Sequence, residues 1–135
     1  MNKQTRNELI RKAVEAKKHA YVPYSKFRVG ASILTDEGEI IAGCNVENSS
    51  YGLTICAERN AIFHAAYKGK RKVLAVAVTT DQKEFITPCG ACRQVISEFA
   101  DGNIDIILTT VEGKIRTVKL KKIFPTPPNL EKLKK

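Results

Sequence analysis

Two short motifs and one lone cysteine hold the residues able to do chemistry: Cys56-Ala57-Glu58, Cys89-Gly90-Ala91-Cys92 and Cys44. Pro88 directly precedes the second motif and places Cys89 at a helix start. Residues three apart on a helix share a face, so the sulfurs of Cys89 and Cys92 can meet at one ion. A helix N-terminus also favours thiolate over thiol. Cys56 falls at the start of another helix and supplies a third thiolate by the same reasoning. Sulfur ligands suit zinc best, one ion per chain, with iron open to the same set. Three protein ligands leave one tetrahedral position free, as catalytic zinc sites do; structural sites close it with a fourth. Glu58 lies two positions past Cys56, roughly 200° around a helix axis. That puts a carboxylate near the ion without making it a ligand, where it can act as a general base toward water. The competing arrangement is a closed four-cysteine site that recruits Cys44. Cys44 falls in a predicted strand, and a single buried cysteine mostly acts as a small apolar filler.

Three thiolates outweigh the charge of one zinc ion and would weaken it as a Lewis acid. Something positive must offset them. Two helix N-termini aimed at the sulfurs would help. So would Arg59, through a hydrogen bond from its guanidinium to a ligand sulfur; the alternative for Arg59 is a surface ion pair. His19 and His64 stand apart from both cysteine motifs. His64 is six positions past Glu58, roughly 240° around the helix, so packing or surface roles are expected for both histidines.

The elements that must position these residues can be read from the hydrophobic pattern. Thr5-Arg6-Asn7-Glu8 has the form of a capping box, and residues 5–20 follow at helical spacing. Residues 27–35 and 40–46 read as a hairpin around Asp36-Glu37-Gly38-Glu39. Residues 47–54 read as a loop, and 56–68 as a helix closed by Gly69. Residues 73–78 form a continuous apolar run, the mark of a central strand covered on both faces. Residues 89–99 read as a third helix, Asp101-Gly102-Asn103 as a turn, and 104–109 and 115–120 as two more strands. The order α-β-β-α-β-α-β-β predicts an α/β fold of three α/β/α layers, with a five-stranded mixed sheet and helices on both faces.

A chain of 135 residues has room for one domain, 1–135, and not for two. Its 27% charged content is that of globular proteins and argues against disorder. No apolar run approaches the ~20 residues that span a bilayer, and the N-terminus lacks an apolar signal core. A cytoplasmic protein is expected, with no membrane partner. The formal net charge is +9, but it sits at the ends: residues 1–28 and 114–135 are strongly basic, whereas 29–113 are net acidic. A nucleic-acid reader usually sets its basic stripe beside its recognition residues. Here the reactive middle is acidic, so nucleic acid is not the expected partner.

The wider sequence resembles a known family. Tyr24-Ser25-Lys26-Phe27-Arg28-Val29-Gly30-Ala31, Gly43-Cys44-Asn45-Val46-Glu47-Asn48-Ser49-Ser50-Tyr51-Gly52, Cys56-Ala57-Glu58-Arg59-Asn60-Ala61 and Pro88-Cys89-Gly90-Ala91-Cys92-Arg93-Gln94 are similar to the small zinc cytidine deaminases. The four blocks occur in the family's order, which a lone CxxC would not establish. The resemblance implies hydrolysis of cytidine and 2′-deoxycytidine to uridine and 2′-deoxyuridine with release of ammonia. It implies a homotetramer with active sites near subunit boundaries. It assigns Cys56, Cys89 and Cys92 to zinc and Glu58 to proton transfer. Asn45 and Glu47 correspond to the pair that binds the ribose 3′-hydroxyl, and Phe27 to the aromatic that packs on the pyrimidine. The backbone N–H of Ala57 would meet the base carbonyl, and Tyr51 would reach a neighbouring subunit's site. Pro128 stands where the family's tail has a phenylalanine, and Gln82-Lys83-Glu84-Phe85-Ile86 departs from the usual run before the second cysteine motif.

Two other readings compete with a nucleoside enzyme. One is a related zinc deaminase for another cytosine-containing compound. The other is a non-catalytic, zinc-stabilised nucleic-acid-binding module, which needs a fourth ligand. From composition alone, Asn45 and Glu47 read as a strand end with Asn45 capping its own turn. In the role the resemblance assigns, the Glu47 carboxylate would repel a 3′-phosphate and favour a free nucleoside.

Overall fold

The apolar run becomes β3 (Val73–Thr80), the middle strand of a five-stranded sheet of order β2-β1-β3-β4-β5. The other strands are β1 (Val29–Thr35), β2 (Ile40–Cys44), β4 (Ala100–Thr109) and β5 (Ile115–Lys119). The structure, a computed structural model, describes residues 1–128 and residue 130; the end of the basic C-terminal stretch, 131–135, lies outside them. β3 runs parallel to β4 and antiparallel to β1, and the β1–β2 and β4–β5 pairs are antiparallel, so the sheet is mixed as expected.

Alternation along β3 divides the core in two. Ala75 and Ala77 face Leu9 and Ala13 of α1 (Lys3–Lys17) together with Ile107. Val76 and Val78 face the opposite way. There they pack with Ala61, Ile62 and Ala65 of α2 (Ala57–Tyr67) and Ile96 of α3 (Gly90–Phe99). Small residues let the helices come close. A Cβ on Gly30 would stand 2.0 Å from the Ala13 carbonyl oxygen, and one on Gly43 would stand 2.5 Å from the Ala61 amide. Both neighbours are backbone and cannot turn aside, so any side chain there would push a helix off the sheet.

Several boundaries differ from the sequence reading. The first helix covers Lys3–Lys17 rather than 5–20. Asn2 is its cap, accepting a hydrogen bond from Thr5 N at 2.8 Å. Thr5 lies inside the helix and Glu8 pairs with Arg11, so the expected capping box does not form. An asparagine three residues upstream fits the cap as well as a threonine does, and the apolar stripe does not distinguish them. The predicted turn at Asp101-Gly102-Asn103 lies within β4 as an irregularity. Val73 pairs with Ala100 and Ala75 with Asp105, so residues between them are looped out of register. Residues 115–120 end as a strand at Lys119, and Leu120 opens a short helix, α4 (Leu120–Ile123), that buries Leu120. β1 begins at Val29 and β2 ends at Cys44, each two residues short of the expected span. A single 3-10 turn, Tyr51–Leu53, occupies the expected loop.

Candidate active site

The two cysteine motifs meet because two helices start at the same place. Cys56 is the N-cap of α2 and Cys89 the N-cap of α3, so each helix begins one residue later than expected. Cys92 lies one turn into α3, fully buried. The sulfurs of Cys56, Cys89 and Cys92 all lie within 4.8 Å of one another. Cys56 and Cys89, 33 residues apart, have sulfurs 3.8 Å apart. Zinc–sulfur bonds of about 2.3 Å place tetrahedral ligands about 3.8 Å apart, so the thiols fit that ion with little adjustment. The Cys92 amide donates to Cys89 Sγ at 3.5 Å, so the N-terminus of α3 presents its positive end to a sulfur; Cys56 caps α2 without such a bond.

Arg59 lies one turn beyond Cys56, and its Nη2 donates to Cys56 Sγ at 3.5 Å. Its Nε is buried with no acceptor among the described residues. Cys92 and then Arg59 hold the Cys56 thiol well below the usual thiol range, while its bond to Cys56 and its burial push Cys92 up. Glu58 is only 4% exposed. Burial, reinforced by the neighbouring Cys56, lifts its carboxyl to about 7. Cys44 stays out of this cluster and ends β2 beside His19, in a separate hollow between α1 and β2. Burial raises its thiol, as suits a neutral filler. His64 is exposed, with Nδ1 3.4 Å from the Ala42 carbonyl oxygen.

A cleft of about 220 Å³ opens onto the cysteines. Cys56, Glu58 and Cys89 line it, together with Phe27 and Asn45. Its remaining wall comes from Val29, Thr54, Val78, Thr80, Ile86 and Thr87. None of these six is assigned a role from the sequence, although Val29 lies in the first family-like block and Ile86 in the departing run, because none has a side chain with distinctive chemistry. The topology does give a signal: β3–α3–β4 is a parallel crossover, and ligands of open α/β sheets gather at the carboxyl ends of such strands. Thr80 is the carboxyl end of β3.

Residues 3–108 match the family described as the cytidine and deoxycytidylate deaminase zinc-binding region. The chain belongs to this deaminase family. A cytidine deaminase of Halalkalibacterium halodurans is 46% identical over 120 residues, covering 89% of this chain and 91% of the relative. One from Sporosarcina psychrophila is 48% identical over 118 residues, 87% of each chain. The crystal structure of cytidine deaminase from Burkholderia pseudomallei superposes with a TM-score of 0.87 at 41% identity, covering 95% of this chain and all of that one. The family is a zinc-binding one, and the cysteine cluster is the site in this deaminase-family chain whose sulfurs suit the ion.

The residues matched to substrate binding are distributed unevenly around the deaminase-family cleft. Asn45 lines it, but its amide also holds the chain. Oδ1 accepts from Val29 N at 2.9 Å and Nδ2 donates to the Phe27 carbonyl at 2.8 Å. One amide hydrogen is left over. Glu47 does not line the cleft. Its carboxylate accepts from the Tyr24 and Ser25 amides at 3.1 and 3.2 Å and from the Ser25 hydroxyl. That grip holds the turn before Phe27, where Lys26 takes the unfavourable left-handed conformation at φ 60°. The Ser25 bonds, followed by those from Tyr24, keep the Glu47 carboxyl below its ordinary value. Tyr51 is 76% exposed, its ring set edge-on to Tyr24 with centroids 6.4 Å apart.

Proposed function

We propose that this protein hydrolyses cytidine and 2′-deoxycytidine to uridine and 2′-deoxyuridine with release of ammonia, in pyrimidine salvage in the cytoplasm. The observation that carries this reading is the buried carboxylate of Glu58, set in a cleft beside three clustered thiols. Cys56, Cys89 and Cys92 hold one zinc ion, which when bound supplies a Lewis acid that makes water a usable nucleophile near neutral pH. Glu58 takes a proton from the attacking water and delivers it to N3 of cytosine as the water oxygen adds to C4. It then passes the second proton to the amino group, and ammonia leaves as the C4 carbonyl of uracil forms. A carboxyl with its pKa near 7 can do both tasks in one turnover. Arg59 offsets the excess negative charge of the thiolates. The backbone N–H of Ala57, at the head of α2, has no acceptor within its helix and makes no hydrogen bond among the described residues; Ala57 is fully buried between Cys56 and Glu58, and in this reading its N–H meets the base carbonyl.

Phe27 packs on the pyrimidine, and Asn45 and Glu47 serve the ribose: Asn45 with its spare N–H, Glu47 chiefly by holding the turn that carries Phe27 and with the one acceptor site left on Oε2. Binding energy from the sugar, remote from C4, orients the base. Free cytosine is therefore expected to react far more slowly than cytidine. Ultraviolet absorbance with each compound, and with 2′-deoxycytidine, checks this; equal rates for cytosine and cytidine contradict the ribose assignment. No turnover of cytidine by protein with one zinc per chain would point to another cytosine-containing substrate. The non-catalytic module needs a fourth ligand, and among the described residues the cluster has three.

The protein acts as a homotetramer with Tyr51 reaching a neighbouring subunit's cleft. Tyr51, Leu53, Phe63 and Tyr67 are 46–91% exposed, and a subunit interface is what would cover such side chains. Sedimentation equilibrium should show the tetramer; a fully active monomer contradicts it.

A further inference from the structure

Asp81 to Cys89 cross from β3 to α3 without regular structure, and the last four of these residues bring Ile86, Thr87 and Cys89 to the cleft. Such a segment needs ties elsewhere to hold a wall in place. Its first half has them: Gln82 N donates to Thr80 Oγ1, and the Gln82 carbonyl accepts from Val111 N. Residues 83–88 are held differently: Phe85 packs against the core, with the Arg116 guanidinium 5.9 Å from its ring centre. Among the described residues, their hydrogen bonds all come from the guanidinium of Arg93. Nε donates to the Pro88 carbonyl at 2.8 Å and Nη2 to Thr87 Oγ1 at 3.1 Å. Pro88 has no N–H, so its carbonyl is the one backbone group by which it can be tied. The third nitrogen, Nη1, donates to the carbonyl of Ile123 at 3.0 Å, the last residue of α4. That is a helix-end carbonyl with no partner inside its own helix.

All three acceptors are neutral, and Arg93 forms no ion pair among the described residues. Its charge therefore strengthens three hydrogen bonds in fixed directions rather than neutralising a carboxylate. Only a planar fork reaches two neighbouring acceptors on one side and a third on the other; a lysine ammonium is a compact point charge on a flexible stem. Arg93 N also donates to the Cys89 carbonyl at 2.9 Å, so the residue grips both sides of the Pro88–Cys89 junction. Arg93 itself does not line the cleft.

We propose that Arg93 is a positioning residue that locks the Thr87-Pro88 wall of the cleft, and the Cys89 thiol that follows it, against the end of α4. The KM readout below rests on the cytidine reading; the zinc readout does not. Arg93→Lys keeps the charge and loses the fork. We expect its KM for cytidine to rise roughly tenfold, with a smaller change in kcat, the scale of one lost charge-assisted hydrogen bond. Zinc should pass from the variant to a colorimetric chelator roughly tenfold faster than from the wild type. Thr87→Val removes one acceptor and should show the same two changes in smaller measure. A folded Arg93→Lys protein with wild-type KM and wild-type zinc release overturns the proposal, whatever its melting temperature, because a merely structural tie would move stability alone. If Arg93→Lys does not fold, Thr87→Val decides: unchanged KM and zinc release overturn the proposal there too. If the wild type does not turn over cytidine, chelator kinetics alone test the clamp.

Discussion

Replacing Glu58 by glutamine is expected to cut turnover of cytidine about 10⁴-fold, the upper range for a single acid–base group. The size follows from the double duty of the side chain. One carboxylate accepts a proton from water and later delivers one to the departing amine, and an amide does neither. A 10⁴-fold loss is about 5.5 kcal/mol of barrier. Glutamine keeps the shape of the side chain, which is 4% exposed, so the cleft should not collapse. It also removes an ionisable group whose burial disfavours the charged form, so the variant should be as stable as the wild type or slightly more so. Zinc content should stay at one ion per chain, because Glu58 lies outside the sulfur cluster. Turnover, metal content and melting temperature measured on one preparation separate these effects. Turnover within tenfold of wild type, with zinc retained, would remove Glu58 from the proton path.

The second large effect is expected at Cys92. Its side chain is fully buried and contributes the innermost of the three sulfurs. Cys92→Ser should lose most of its zinc on dialysis and nearly all of its turnover, since a hydroxyl is not ionised as a ligand at neutral pH and suits zinc poorly. Stripping the wild-type protein with a chelator should have the same consequence without a mutation, and adding zinc back should restore it. Stability should follow the metal. Free zinc at a thousandfold above its dissociation constant adds about 4 kcal/mol to the folded state, a melting shift on the order of 10 °C for a chain of this size. The two starts of α2 and α3 should feel the loss first, because without the ion the cluster keeps only thiol contacts between them. A Cys92→Ser protein that retains one zinc and full turnover would mean that another residue completes the site.

Some of this was legible in the chain before any tertiary contact. The rotation per residue in a helix is a local property, so Cys89 and Cys92 share a face wherever that helix lies. For the same reason Glu58 diverges from Cys56 by more than half a turn. Alternation and continuous apolar runs marked all five strands and three helices, because the period of burial depends on backbone geometry alone. Boundaries were less secure where two residues could serve equally. Asn2 took the cap from Thr5, and Asp101-Gly102-Asn103 was absorbed into β4 as an irregularity instead of ending it.

The tertiary structure decided what depends on long-range placement. Cys56 and Cys89 come within 3.8 Å because α2 and α3 both start at one end of the sheet, and no spacing in the chain encodes that approach. By residue type Cys44 is equal to the other three cysteines as a ligand; its place at the end of β2, against α1, takes it away from the cluster. Val78 and Thr80 line the cleft because β3 ends there, although Val78 reads in the chain only as part of the apolar run and Thr80 lies beyond it. The amide of Asn45 and the carboxylate of Glu47 bind the backbone that carries Phe27, and Arg93 ties the loop before Cys89 to α4. Helical and strand periods follow from torsions that each residue sets for itself. Which side chain meets which carbonyl follows from strand order and register, and these are settled only when the whole sheet and its covering helices bury their apolar faces together.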